Sequence, residues 1–123
     1  MKLIKTKFKG LFLCKKETYI DNRGYFREIF VEKIIKKKFL FDVMSCSKKN
    51  VLRGLHFQTI NPQGKYISVL RGKVLDVVVD LRKKSKTFGK HYSIILSEKR
   101  NISMFIPEGF AHGFCTLENN TIM

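Results

Sequence analysis

The stretch NVLRGLHFQ (residues 50–58) places an arginine and a histidine within an otherwise largely apolar run. Imidazole is a base that is largely neutral at cytoplasmic pH, so it can take a proton from a substrate. A guanidinium offers several N–H donors to a phosphate. Arg53 and His56 are therefore candidates for a site where an anionic substrate meets a base, although a lone strand histidine is more commonly structural.

The same stretch predicts a β-strand in which the side-chain alternation matters. In a regular strand Arg53 and His56 point to opposite faces. A bulge at Gly54 would bring both side chains to one face, and glycine is the residue that most easily adopts a bulge conformation. We therefore expect the two residues to share a face if the strand is bulged.

Two further stretches carry polar residues that could act with His56. Lys65 follows in the segment QGK, where its ammonium group could stabilise an oxyanion, although a lone loop lysine is usually solvated. His112 lies in PEGFAHGF (residues 107–114), which we predict to be a turn-rich loop because of its proline and glycines. Asp76 alternates with valines on a strand, where a site-facing acid and a solvated one are about equally expected.

The pattern P-x-G-x-x-H that ends at His112 resembles the second motif of the cupin superfamily, whose fold is a β jelly roll. The first cupin motif usually offers HxH followed by a carboxylate. Here Phe57 and Gln58 follow His56, so most of a metal-ligand set is missing. We expect no bound catalytic metal.

The elements that position these residues are predicted to be mostly short strands. KVLDVVVDLR (residues 73–82) should place Val74, Asp76, Val78 and Asp80 on one face, and GKYISVLRG (residues 64–72) should form a hairpin with it. HYSIILS (residues 91–97) and ISMFIP (residues 102–107) predict further strands, and VEKIIKKKF (residues 31–39) the one plausible helix. The whole pattern predicts an all-β fold of jelly-roll type.

Length and composition are those of one domain spanning residues 1–123. Three cysteines without CxxC spacing predict neither a disulfide framework nor a zinc site, and they fit a reducing cytoplasm. The longest apolar run near the N-terminus, LFLC, is too short for a secretory signal, and no stretch approaches a membrane span.

The net charge of +15 favours an anionic partner, and nucleic acid, a membrane surface and a small phosphorylated ligand are all candidates. The lysines are scattered, and neither a zinc finger, an RNP-like strand nor a helix-turn-helix pattern is present. Nucleic-acid binding is therefore the weakest of the functional hypotheses. Most of the lysines are expected to lie on solvated faces and loop tips.

Five blocks in fixed order resemble the dTDP-4-dehydrorhamnose 3,5-epimerase family, and the similarity runs from about residue 21 to the end of the chain. The blocks are DNRGYFREIF (residues 21–30), SKKNVLRGLHFQ (47–58), QGK (63–65), VLDVVVDLRKKSKTFGK (74–90) and IPEGFAHGF (106–114). The resemblance implies a cupin-type jelly roll, or double-stranded β-barrel, incomplete at the C-terminus. It also implies epimerisation of carbons 3 and 5 of a dTDP-4-keto-6-deoxy-sugar, without metal or nicotinamide cofactor.

The resemblance assigns roles to residues of this sequence. His56 matches the general base, and Lys65 matches a lysine near the keto oxygen. Arg53 and His112 match residues that line the sugar and phosphate region, and Asp76 a site-facing acid. Three matches reach into the neighbouring subunit's site in the family and imply a homodimer: Arg23 towards phosphate, Phe26, and Glu28 towards the nucleotide.

Two departures bear on activity. Phe41 and Val43 stand where the family usually has glutamine and asparagine for the nucleotide. The family pattern also continues for roughly another third beyond ENNTIM (residues 118–123), and that part carries a general-acid tyrosine and an aspartate that orients the histidine. None of the chain's four tyrosines matches this position: Tyr19, Tyr25, Tyr66 and Tyr92.

Three functional hypotheses follow from these observations. The first is a truncated and impaired epimerase of deoxysugar and rhamnose biosynthesis. The second is a sugar-nucleotide-binding module without turnover. The third is the nucleic-acid binder already disfavoured.

Overall fold

The computed structural model describes residues 1–123, and almost all of its regular structure is β-strand. The helix α1 spans Glu32–Ile35. The strands are β1 (Lys2–Lys5), β2 (Phe12–Lys15), β3 (Thr18–Asp21), β4 (Gly24–Arg27), β5 (Cys46–Ser47), β6 (Leu52–His56), β7 (Lys65–Ile67), β8 (Lys73–Asp80), β9 (His91–Ser97), β10 (Ile102–Ile106), β11 (Phe110–Thr116) and β12 (Thr121–Ile122). The predicted all-β class is confirmed.

Two four-stranded antiparallel sheets enclose the main core. One has the order β1-β2-β10-β7 and the other β6-β11-β8-β9. Leu13 and Met104 of the first sheet and Val74, Val78 and Phe110 of the second belong to one buried cluster. Burying a side chain of this size contributes about 1.5–3 kcal/mol, so the contact between the sheets holds the fold together.

Strand β8 alternates as its sequence predicts. Val74, Asp76, Val78 and Asp80 are buried, whereas the residues between them are more exposed. The inward face of a central strand thus carries two carboxylates, each fully buried. Buried carboxylates are costly unless they are hydrogen-bonded or paired, and both of these have partners, described below.

A smaller cluster covers the outer face of the first sheet. Cys14 and Phe105 pack there with Ile35 of α1. The predicted helix over residues 31–39 is shorter than expected, because Lys36 adopts a left-handed conformation (φ 56°) and its N–H donates to the Glu32 carbonyl. The chain then brings Phe39 against the Phe105 ring, with 6.4 Å between centroids.

The predicted hairpin between residues 64–72 and 73–82 is wrong. β7 pairs with β10 in the first sheet, and β8 pairs with β11 and β9 in the second. The segment between β7 and β8 instead crosses from one sheet to the other, where Leu70 and Arg71 donate backbone hydrogen bonds to Ile122. Adjacent strands of a sandwich need not be hydrogen-bonded neighbours.

The prediction of a loop over residues 107–114 is only partly correct. The turn covers residues 108–109, and strand β11 begins at Phe110, so His112 lies on a strand. β11 sits between β6 and β8 and pairs with both. Tertiary pairing on both sides overrides the weak strand preference of its glycine.

The three cysteines are free thiols. The chain's single helix has four residues, so no helix is long and apolar enough to cross a membrane.

Candidate functional site

Strand β6 contains a bulge, the condition under which the sequence predicts that Arg53 and His56 share a face. His56 lies opposite His112 of β11, and Arg53 lies opposite Phe114, with a register shift between the two pairs. Two residues of β6 therefore oppose only Gly113, which is the definition of a bulge. His112 and Phe114 share a face because they are two residues apart, so their partners Arg53 and His56 share it too.

Gly54 permits this arrangement. Its φ is +104°, which disfavours residues with a side chain. A Cβ atom at this position would lie 2.6 Å from the His112 carbonyl oxygen and 2.7 Å from the Gly113 Cα. Both contacts are with backbone that cannot move without disturbing the β6–β11 pairing.

His56 and Lys65 come from different sheets and line the same cleft. The cleft has a volume of about 440 Å³. Its lining residues are His56, Phe57, Gln58, Gln63, Lys65, Gly109 and Phe110. A base and a cation thus face one cavity that is open to solvent.

Asp76 and His112 form a buried pair on the inward face of the second sheet. The His112 Nε2 atom lies 3.0 Å from each carboxylate oxygen of Asp76. Burial raises the pKa of Asp76, while the hydrogen bond from His112 acts in the opposite direction. The carboxylate holds the imidazole in one orientation, with Nδ1 left for another partner.

Lys65 and Asp76 influence each other across the interior. Partial burial lowers the pKa of Lys65, because it penalises the charged ammonium group, and the Asp76 carboxylate counteracts that effect. Asp76 is therefore buried rather than solvated, it is not among the residues that line the cleft, and its carboxylate favours the cationic form of the lysine.

Arg53 is held by a residue that the sequence interpretation missed. Its Nε donates to the Ser47 Oγ at 3.2 Å. Ser47 is buried on β5, where it pairs with Thr121 of β12. This contact uses one guanidinium N–H and leaves the terminal nitrogens without a hydrogen-bond partner in the protein.

His56 itself has a loosely defined environment. Strand β6 is the edge of its sheet, and all five of its residues are exposed. The imidazole has no side-chain hydrogen bond, unlike the ring of His112. The orientation of the predicted base is therefore not fixed by a neighbouring group.

Arg23, Phe26 and Glu28 lie away from the cleft. They occupy the β3–β4 hairpin and the residue following it, and all three are exposed. Arg23 donates to Asp21 within the hairpin turn. None of the three lines the cleft of its own chain, and their role at a neighbouring subunit's site stays a prediction.

No tyrosine lines the cleft. The Tyr66 hydroxyl donates to the Ile29 carbonyl, and Tyr92 packs edge-on against Phe8. Phe41 and Val43 are exposed in the irregular segment between α1 and β5. No group of three or more His, Cys, Asp or Glu side chains is arranged as a metal site, and the metal-free site stays a prediction.

Sequence reasoning also missed the role of Asp80, whose carboxylate is fully buried. It accepts hydrogen bonds from Arg82, Ser85 and Thr87. The signal was an aspartate at the end of a buried strand followed closely by an arginine and two hydroxyl residues, a pattern that favours a hydrogen-bonded turn.

Comparison with known proteins gives a consistent result. The family model described as dTDP-4-dehydrorhamnose 3,5-epimerase matches residues 5–123. A protein of that name from Methanothermobacter thermautotrophicus is 46% identical, and the match covers 99% of this chain and 69% of the relative. The chain therefore spans about seven-tenths of that relative's length.

Solved structures agree with the sequence matches. A Legionella pneumophila dTDP-6-deoxy-D-glucose-3,5-epimerase in complex with dTDP-4-keto-L-rhamnose superposes with a TM-score of 0.92 at 41% identity, covering 98% of this chain and 68% of that one. A Bacillus anthracis dTDP-4-dehydrorhamnose 3,5-epimerase with TDP and pyrophosphate bound gives 0.92 at 39% identity, covering 98% and 73%. The predicted cupin-type fold is confirmed, and the chain belongs to the dTDP-4-dehydrorhamnose 3,5-epimerase family.

Proposed function

We propose that the cleft binds a thymidine-diphosphate-linked 4-keto-6-deoxy sugar and epimerises carbons 3 and 5 by proton transfer, as part of deoxysugar biosynthesis. The observation that carries the proposal is that His56 and Lys65, from different sheets, line one cavity. Family membership supports the choice of substrate class. Such a proton transfer changes no oxidation state overall, so it needs no nicotinamide.

His56 acts as the general base. The hydrogens on the carbons flanking a ketone are weakly acidic, and a positioned base accelerates their removal by about 10²–10⁴-fold. The imidazole takes the proton, the C–H bond electrons form the enolate C=C bond, and the carbonyl π electrons move onto oxygen. Return of a proton to the opposite face of the carbon inverts its configuration.

Lys65 stabilises the enolate oxygen formed in that step. An ammonium group placed where negative charge develops lowers the barrier. Asp76 favours the cationic form of Lys65 and, through its hydrogen bonds, fixes His112. The Asp76 carboxylate therefore keeps Lys65 charged and His112 oriented for binding of the sugar.

Arg53 binds the diphosphate. Arg53→Ala should weaken thymidine diphosphate binding by about 1.5–3 kcal/mol, because that is the usual contribution of a hydrogen bond to a charged group. Titration calorimetry measures the change. Lys86→Ala, which removes an exposed positive charge elsewhere, is the control. An equal loss of affinity in both variants would mean that Arg53 contributes only non-specific charge attraction.

The test of the reaction is solvent deuterium incorporation at carbons 3 and 5 of the 4-keto sugar, followed by NMR. We expect exchange that His56→Asn abolishes, because amide nitrogen cannot accept the proton. His91→Asn, at an exposed histidine of β9 outside the cleft, is the matched control. Exchange that survives in His56→Asn would overturn the assignment of the base.

Two specific observations favour a second function, binding of the sugar nucleotide without efficient epimerisation. His56 has no side chain to orient it, and no tyrosine lines the cleft to return a proton from the other face. Residues 1–123 alone would then bind the sugar nucleotide and exchange deuterium slowly, without inversion at a rate typical of the family. No exchange with retained binding would support a binding module, and full inversion at an enzyme-like rate would exclude it.

We also propose a cytoplasmic homodimer. The β3–β4 hairpin exposes Tyr19, Ile20, Tyr25 and Phe26, a large apolar surface for a monomer. A second copy could cover it and bring Arg23 and Glu28 to the partner's cleft. The cytoplasmic location is supported by the three free thiols.

A further inference from the structure

A buried carboxylate lies at the end of β8, outside the cleft. Asp80 Oδ1 accepts from the Arg82 backbone N–H at 3.1 Å and from its Nε at 2.8 Å. Oδ2 accepts from Arg82 Nη2 at 2.8 Å and from the Ser85 and Thr87 hydroxyls at 2.6 Å each. Burial alone would raise the pKa of Asp80, but these hydrogen bonds lower it, so the group is charged.

The Asp80 carboxylate locks the Arg82 guanidinium in one orientation. The remaining terminal nitrogen, Nη1, donates to the Lys9 carbonyl at 2.8 Å. The guanidinium carbon lies 4.5 Å from the centre of the Phe110 ring, within the range of a cation–π contact. The Arg82 guanidinium is therefore held by Asp80 and by the Lys9 carbonyl, and it stacks on Phe110, a residue that lines the cleft.

Gly109, the neighbour of Phe110, also packs closely against the side chain of Arg82. Its φ is +86°, and a Cβ atom there would lie 2.5 Å from the Arg82 Cγ. The Leu81 N–H also donates to the Gly109 carbonyl at 3.0 Å. The arginine stem thus packs directly on the turn that carries one wall of the cleft.

We propose that Arg82, oriented by Asp80, is a positioning residue that sets the Gly109–Phe110 wall of the cleft and thereby its affinity for the sugar part of the ligand. The identity of the ligand rests on the proposed function. The wall and His56 line the same cleft, so a displaced wall leaves the sugar less tightly held against the base. Arg53, which serves the phosphates, is untouched by this arrangement.

The first measurement is residue-resolved amide hydrogen exchange on the full chain. Arg82→Gln removes the charge and the stacking, and it should speed exchange at Leu81, Gly109 and Phe110 by about tenfold, as expected when a local opening becomes easier. Amides of β1 and β2 should not change. Lys84→Gln, an identical charge change at an exposed residue of the same loop, should leave all of them unchanged.

The second measurement compares two ligands. Arg82→Gln should weaken binding of thymidine-diphosphate-glucose about tenfold but thymidine diphosphate less than about twofold, since a small displacement of a wall affects mainly the group it contacts. Arg82→Lys keeps a positive charge beside Asp80. A single ammonium group cannot donate to both Asp80 oxygens and the Lys9 carbonyl while also stacking on the Phe110 ring. This variant should show the same preference with a smaller loss, which keeps the test available if Arg82→Gln folds poorly.

Each contrary outcome has a distinct meaning. Unchanged exchange at Leu81, Gly109 and Phe110 would overturn the inference, and so would faster exchange spread evenly over the molecule, which is the mark of a purely structural residue. Equal losses for the two ligands would also overturn it. If the unaltered chain binds neither ligand, the proposed function fails, while the exchange result still decides whether Arg82 positions the wall.

Discussion

Lys16, just after β2, is a charged residue in an environment that does not suit a charge. Its side chain is 4% exposed, and no carboxylate pairs with it. Burial lowers its pKa from 10.5 to about 8, and repulsion from Arg27 adds to the effect. The folded state therefore holds the proton of Lys16 less firmly than the unfolded chain does.

This difference predicts a pH-dependent cost. Below pH 8 both the folded and the unfolded state carry the proton, and burying the charged Lys16 lowers the free energy of unfolding by its full amount. Between pH 8 and 10.5 the unfolded chain binds more protons than the folded one, so the free energy of unfolding rises with pH. Lys16→Met should raise the free energy of unfolding by about 1–2 kcal/mol at pH 7, an advantage that fades towards pH 10.5. Urea unfolding at several pH values measures it.

The neighbouring Lys15 supplies the control for this experiment. It is the exposed last residue of β2, next to Lys16 in the chain, so Lys15→Met should change the free energy of unfolding only slightly. Measuring the difference between variant and parent cancels the titrations of groups that do not interact with Lys16. The Cys14 thiol does interact with it, but burial raises the pKa of Cys14 to about 11, above the pH range of the measurement. An advantage of Lys16→Met that stayed constant up to pH 10.5 would show that the lysine is not desolvated in the folded protein.

At the scale of elements, the β6 bulge decides whether Arg53 and His56 act together. Gly54→Ala should cost about 2–4 kcal/mol of stability, because a Cβ would meet the His112 carbonyl and the Gly113 Cα at a positive φ. It should also weaken thymidine diphosphate binding, since the strand must shift or lose its bulge. Thermal unfolding and calorimetry together measure both effects.

Gly89→Ala separates backbone strain from steric clash, the two causes of the stability loss expected for Gly54→Ala. Gly89 also has a positive φ, +75°, but nothing lies within 4 Å of its Cβ position. We expect a loss of about 1 kcal/mol from backbone strain alone and no change in ligand binding. Equal effects of the two substitutions would mean that the close approach of β6 and β11 has no energetic consequence.

Local sequence patterns predicted the strands and indicated Gly54 as the place where a bulge could form, because the causes are local. The alternation in residues 73–80 fixes which side chains of β8 face inward, and Gly54 breaks the period where the structure needs it. The strand with Arg53 and His56 is the part of the candidate site that could be read from the sequence in this way. The roles of Lys65 and His112 came from resemblance to a family, not from their spacing.

Strand partners and second-layer contacts were harder to predict because they depend on distant residues. The hairpin expected around Gly72 is replaced by a crossing between sheets, where a Gly72 Cβ would clash with Thr121. Ser47 reaches Arg53 only because β5 pairs with β12 near the end of the chain. Neither contact leaves a periodic signal in the sequence.

For the whole molecule, two surface properties have opposite effects on self-association. The net charge of +15 makes two copies repel. The exposed apolar residues of the β3–β4 hairpin favour their contact, because covering such surface removes it from water. The balance of the two decides whether the chain forms the proposed homodimer, which the proposed role of Arg23, Phe26 and Glu28 requires.

We expect the apolar contact to dominate and to give a homodimer of about 29 kDa, twice the 14.4 kDa of one chain. Light scattering at micromolar concentration measures the mass. Phe26→Glu should shift the chain to a monomer, because a buried unpaired carboxylate is costly. Phe88→Glu, at an exposed aromatic residue of the 81–90 segment, should leave the dimer intact.

Salt separates this dimer from an association bridged by polyanions. Screening shortens the range of charge repulsion from about 10 Å at 0.1 M to about 3 Å at 1 M salt. A dimer held by apolar contact between two cationic copies should therefore tighten as salt rises. Copies bridged by nucleic acid would come apart instead, because salt competes for the phosphates. A monomer under all conditions would leave the hairpin residues without a role at the cleft. Dissociation of the dimer at high salt would do the same and would also return nucleic acid to consideration as the anionic partner.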